Sequence, residues 1–105
     1  MNGVAVMKRI EKIKKKLVEL KPSLKEEFKV TSIGVFGSFV RGEEEKGSDL
    51  DVLVEFDESA GLSLLDFVGL EIRLSEALGV KVDLVEKSAL KPRIGKQILE
   101  EVVNV

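Results

Sequence analysis

Asp49 and Asp51 stand two residues apart in the stretch GSFVRGEEEKGSDLDVLVEF, which runs from Gly37 to Phe56. Alternation puts Leu50, Val52, Val54 and Phe56 on one face of a strand and Asp49, Asp51, Leu53 and Glu55 on the other. With the first face in the core the register is fixed, and both carboxylates project from the same side, roughly 6–7 Å apart at Cα. Aspartate is a poor strand former, so the pair asks for a reason other than propensity. A bare D-x-D fits a solvated strand face equally well. Asp83 shifts the balance: it lies in a second strand-like run, Val80 to Val85, facing away from Val80, Val82 and Leu84. If that strand lies beside the first, three carboxylates converge on one patch. Two of them about 4 Å apart repel by roughly 1 kcal/mol in water and up to about 4 kcal/mol at an effective dielectric of 20. One or two magnesium ions turn that repulsion into a binding site. A metal pair held by aspartates suits in-line displacement at a nucleotide phosphorus, one metal orienting the triphosphate and the other activating the attacking hydroxyl.

Just upstream, Gly37-Ser38 follows a β-branched run, and Arg41 comes three residues later. Glycine lets a backbone approach a phosphate closely. If Ser38 opens a helical turn, its backbone N–H groups form an anion site, its hydroxyl adds a hydrogen bond and Arg41 adds a charge-assisted one. A glycine strand terminator followed by a serine cap accounts for the same residues without any chemistry.

Composition narrows the alternatives. The chain of 105 residues has no Cys and no His, which removes disulfides, thiol nucleophiles, zinc fingers, catalytic triads and histidine proton shuttles. Any metal must take oxygen ligands. Apolar residues make up 44% and charged ones 34%, with 17 basic against 19 acidic side chains and a net charge of −2. That is a globular composition with no global pull towards nucleic acid. Phe is the only aromatic type, present five times, so base-stacking platforms are scarce and nucleic acid is not expected as a direct substrate. No apolar run reaches membrane-span length and no signal peptide is visible, so the expected location is cytoplasmic.

The positioning elements follow from periodicity. Met7 to Leu20 reads as an amphipathic helix through Ile10, Ile13, Leu17 and Leu20. Its basic face, seven Lys and Arg from Lys8 to Lys21, reads as solvated. Ser23 with Glu26 has capping-box spacing and predicts a short second helix ending near Phe28. Val30 to Phe36 reads as a strand stopped by Gly37, Arg41 to Ser48 as a polar loop, and Asp49 to Phe56 as the second strand. Ser63 with Asp66 starts a longer helix that Gly79 ends. Val80 to Val85 is the third strand. A final helix from Ser88, with Pro92 near its start, carries Ile94, Ile98, Val102 and Val105 along one side. The expected fold is α+β, a small mixed sheet flanked by helices, with residues 1–105 forming a single domain.

Gly37-Ser38, Arg41-Gly42 and Ser48-Asp49-Leu50-Asp51, with Asp83 on a later strand, resemble the signature of the DNA polymerase β-like nucleotidyltransferase superfamily. The compact form of the run is similar to the minimal nucleotidyltransferases, antitoxin partners in HEPN/MNT toxin–antitoxin pairs. The resemblance implies a polymerase β-like fold in which Gly37 and Ser38 bind the triphosphate of ATP. Asp49, Asp51 and Asp83 would ligate magnesium, and Asp83 would serve as general base. Arg41 would hold phosphate or shape the loop. It further implies an enzyme that moves AMP from ATP onto a hydroxyl of a HEPN toxin, a tyrosine in such pairs, and forms a hetero-oligomer with it. Two departures stand out: Phe39, where a small or polar residue is common, and the Glu43-Glu44-Glu45 run beside the site. Two other functions remain open at this point. One is an antitoxin acting by contact alone, through the apolar stripe of the last helix. The other is a nucleotidyltransferase for a small molecule, although the length leaves no room for the extra helical domain such enzymes carry.

Overall fold

A computed structural model describes residues 9–105; Met7 and Lys8, where the first helix was expected to begin, lie outside them. Helix α1 spans Arg9–Phe28 without a break and contains Pro22. The expected second helix at Ser23 is therefore absent, because Leu24 falls on the same buried stripe as Ile13 and Leu17. A proline within a helix forfeits one backbone hydrogen bond, and completing that stripe outweighs the loss. The helix stops at Lys29, which adopts a left-handed backbone (φ 60°) while its N–H still donates to the Lys25 carbonyl at 3.1 Å.

The strands are β1 (Val30–Phe36), β2 (Leu50–Phe56), β3 (Val82–Glu86) and β4 (Val103–Asn104), and they form one sheet in the order β3-β2-β1-β4. β1 runs antiparallel to β2 and to β4, while β2 and β3 are parallel. The sheet is mixed, as expected. Between β1 and β2 lies a single turn, α2 (Ser38–Arg41); α3 (Leu64–Leu78) connects β2 to β3, and α4 (Pro92–Glu101) precedes β4. Leu17 and Leu24 of α1, Leu70 and Leu74 of α3, and Ile33, Val35, Leu50, Val52, Val54, Val82 and Leu84 of the sheet form the core with Phe39.

The capping box of α3 is present. Ser63 Oγ accepts the Asp66 N–H at 3.1 Å, and the Ser63 N–H donates to Asp66 Oδ2 at 3.0 Å. Two further side chains of α3 face the outer edge of β3. Ser75 Oγ accepts the Val82 N–H at 3.0 Å and Glu71 Oε2 accepts the Leu84 N–H at 2.9 Å.

The end of the chain differs from the expected long helix. Lys87–Ala89 is a 3-10 turn, α4 starts only at Pro92, and after Glu101 the chain becomes extended. Val103 pairs with Val35 and Asn104 with Gly34, and the Val105 N–H donates to the Ile33 carbonyl at 3.0 Å. β-Branched Val102, Val103 and Val105 suit a strand, and β1 offered an edge to fill. Gly34 makes the approach possible: a Cβ there would stand 2.7 Å from Val102 Cγ2. Ile94, on the apolar side of the expected helix, is 55% exposed; the buried residue of α4 is Gly95, which lies against Leu90.

Candidate active site

The parallel register of β2 and β3 sets Asp51 opposite Asp83. Paired residues on neighbouring strands, about 4.8 Å apart, point to the same face. The residues flanking them, Leu50, Val52, Val82 and Leu84, are all buried in the core on the other face. Asp49 immediately precedes β2, two residues from Asp51. Asp83 is exposed, while Asp49 and Asp51 are half-buried. Partial burial raises the Asp51 carboxyl above its ordinary pKa, and the negative charges of Asp83, Asp49 and Glu101 push it the same way. The sheet thus brings Asp49, Asp51 and Asp83 into one neighbourhood. Among the described residues, however, no three carboxylates stand close enough to one another to hold a metal ion as they lie.

β1 delivers the chain to the same place. Its last residue, Phe36, pairs with Asp51. Gly37 follows with φ 82° and ψ −156°, a backbone that disfavours side chains, and a Cβ there would collide with Asp51 Oδ2. The Gly37 carbonyl accepts N–H bonds from Val40 (3.1 Å) and Arg41 (3.2 Å), which winds Ser38–Arg41 into a turn. Ser38 and Phe39 open that turn, where helical amides have no upstream carbonyl to bond. Phe39 does not intrude on the site. Its ring is in the core, 1% exposed, with the Arg9 guanidinium 5.2 Å from its centroid.

Arg41 and Glu101 complete the surroundings. Arg41 Nε donates to Glu43 Oε1 at 2.7 Å, and its Nη1 donates to Glu101 Oε1 at 2.5 Å. These partners hold the guanidinium firmly protonated, and the Arg41 bond, with the Gly37 N–H, lowers the Glu101 carboxyl. The Gly37 N–H donates to Glu101 Oε2 at 3.0 Å. Part of the charge of the Glu43-Glu44-Glu45 run is therefore spent on Arg41. Glu101 is the residue that sequence reasoning missed, being 60 residues from Arg41 in the chain. A signal was present: Glu100-Glu101 close a helix at its C-terminal end, where negative charge opposes the helix dipole. A groove of about 780 Å³ at the far end of β2, lined by Phe56, Phe67 and Leu84 among others, contains none of these residues.

A glycine-serine turn beside strand aspartates matches a known pattern, and a model of the nucleotidyltransferase domain covers residues 9–105. The chain belongs to the nucleotidyltransferase domain family. Protein adenylyltransferase MntA of Thermococcus cleftensis is 51% identical over 96 residues, 91% of this chain and 95% of that protein. A solved structure assigned as a minimal nucleotidyltransferase shares 37% identity and superposes with a TM-score of 0.74, over 96% of this chain and 99% of that one. A chain from a crystal structure of a toxin–antitoxin with AMP-PNP, 25% identical, superposes with a TM-score of 0.70 over 86% of this chain and 69% of its own length. The small mixed sheet with its helices is the architecture of the minimal nucleotidyltransferases.

Proposed function

We propose that this nucleotidyltransferase transfers AMP from ATP to a hydroxyl of a HEPN-type toxin and so acts as its antitoxin. The observation that carries the reading is the alignment of Asp51 with Asp83 on one sheet face, with Gly37 packed against Asp51. The similarity to an adenylyltransferase and to a toxin–antitoxin chain crystallised with AMP-PNP supports the substrate and the partner.

In this reading the turn from Gly37 to Arg41 receives the triphosphate, with Ser38 Oγ and the first amides of the turn as donors. The acceptor oxygen attacks the α-phosphorus, the bond to the β-phosphate oxygen breaks, and pyrophosphate leaves. Asp83, the most exposed of the three aspartates, takes the hydroxyl proton. Asp49, Asp51 and Asp83 would hold magnesium, which supplies neutralisation of the triphosphate charge and a lower pKa for the acceptor hydroxyl. The donor set fits, since carboxylate oxygens are the hard ligands magnesium takes. The repulsion that raises Asp51 is also what a cation would relieve.

The test is transfer of label from α-labelled ATP, with magnesium, to a HEPN-type toxin. Label on the toxin that disappears in Asp49→Asn and Asp51→Asn supports the reading. An unlabelled toxin, or label indifferent to both substitutions, removes it.

A further inference from the structure

Besides the three aspartates and Glu43, a further carboxylate is engaged with the proposed phosphate-binding turn, and it comes from the end of α4. Glu101 accepts the Gly37 N–H through Oε2 at 3.0 Å and pairs with Arg41 Nη1 through Oε1 at 2.5 Å. A backbone amide and a guanidinium are the donors that a phosphate oxygen seeks. Here a carboxylate already satisfies both. Its position is unfavourable on its own helix, because it is the last residue of α4 and negative charge there opposes the dipole. It also adds to the negative charge felt by Asp51. The contacts with Gly37 and Arg41 are what offset these costs. The segment that follows it pairs with β1 at Val103 and Asn104, and the Val105 N–H adds a bond to the Ile33 carbonyl.

We propose that Glu101 is an internal anion seated on the phosphate-binding donors of Gly37 and Arg41, and that an incoming nucleotide must displace it. Glu101 thereby sets nucleotide affinity, and its departure loosens the β4 pairing next to it. This rests on the nucleotide reading of the site given above. A triphosphate and Glu101 cannot both occupy the Gly37 N–H, and the like charges repel. Arg41 keeps Glu43 as a partner at 2.7 Å, so releasing Glu101 does not leave the guanidinium unpaired.

The experiment is calorimetric titration of the full chain with AMP-PNP and magnesium, comparing the native protein with Glu101→Gln and Glu101→Ala; melting curves verify that each variant is folded. Removing the competing charge is expected to tighten AMP-PNP binding by at least about fivefold, the lower end of ordinary coupling between sites. Affinity that is unchanged or weaker in both folded variants overturns the proposal. Should both variants unfold, amide exchange on the native chain decides. Saturating AMP-PNP should speed exchange at Val105, whose N–H bonds the Ile33 carbonyl, and unchanged or slowed exchange overturns the proposal. If neither the native chain nor any variant binds AMP-PNP, the nucleotide reading itself fails and this proposal falls with it. That outcome is distinct from native binding that Glu101 does not influence.

Discussion

Asp51 is held where its charge is disfavoured four ways: half-buried, opposite Asp83, beside Asp49 and near Glu101. Asp51→Asn removes that charge with little change of shape. Label transfer to the toxin is expected to fall by at least about a hundredfold, the scale of a misplaced reacting group. The melting temperature is expected to stay level or rise, as happens when a site residue kept for activity is neutralised. Parallel transfer assays and thermal melts check both, and a variant that melts markedly lower contradicts the account of Asp51. Gly37→Ala makes the opposite demand, because the φ of 82° and the packed Asp51 carboxylate leave no room for a methyl group. It should cost about 1–3 kcal/mol of stability, read by chemical denaturation, together with transfer activity. Gly37, Ser38, Asp49 and Asp51 were legible as candidates because a run of fifteen residues carries them. Asp83 needed one spatial assumption, that its strand lies beside β2, and the parallel register bears it out. Glu101 left only the mark of an acidic helix end, and its contact with Gly37, which spans 64 residues, was not legible.

Two serines with an acidic residue three positions on gave the same local signal, and only one of them caps a helix. Ser63 and Asp66 exchange hydrogen bonds at the start of α3. Ser23 and Glu26 lie inside α1, because Leu17 and Leu24 are both fully buried and share a stripe. Burial decided between the two, and nothing within four residues could have announced it. The α3 cap has a pH signature. The Ser63 N–H and hydroxyl hold the Asp66 carboxyl below the ordinary carboxylate range. The unfolded chain therefore binds that proton more readily than the folded one, and the stabilisation is complete above about pH 4 and lost as the pH falls further. Asp66→Asn should melt below the native protein at neutral pH, and the gap should close in acid; a gap that persists at low pH would speak against the cap as its origin. At the other end of α1, Lys29 carries a left-handed backbone that favours glycine. Lys29→Gly is expected to stabilise the fold by about 0.5–1 kcal/mol, strain relief outweighing the extra freedom of the unfolded glycine. A lower denaturation midpoint in the variant would count against strain at Lys29.

At the scale of the whole molecule, one core among the described residues joins α1, α3 and the sheet. Leu17 of α1, Leu74 of α3 and Val52 of the sheet are each fully buried within it. A single large-to-small change there should be felt throughout. Leu17→Ala is expected to cost about 2–5 kcal/mol, and at this size each kcal/mol moves the melting point by roughly 4–8 °C. A drop of only one or two degrees would place α1 outside the cooperative unit. The α+β class and the helix between the second and third strands were legible from periodicity, whereas the return of the chain onto β1 was not, because four residues carry no period to read. The edge of β3 has a wider implication. Ser75 and Glu71 already take the outward amides of Val82 and Leu84, so an arriving strand finds those main-chain donors spent. Along this flank a strand adding to the sheet, whether a copy of itself or a stranger, has to do without those two donors. The runaway stitching that open β-flanks invite is thereby weakened at this edge.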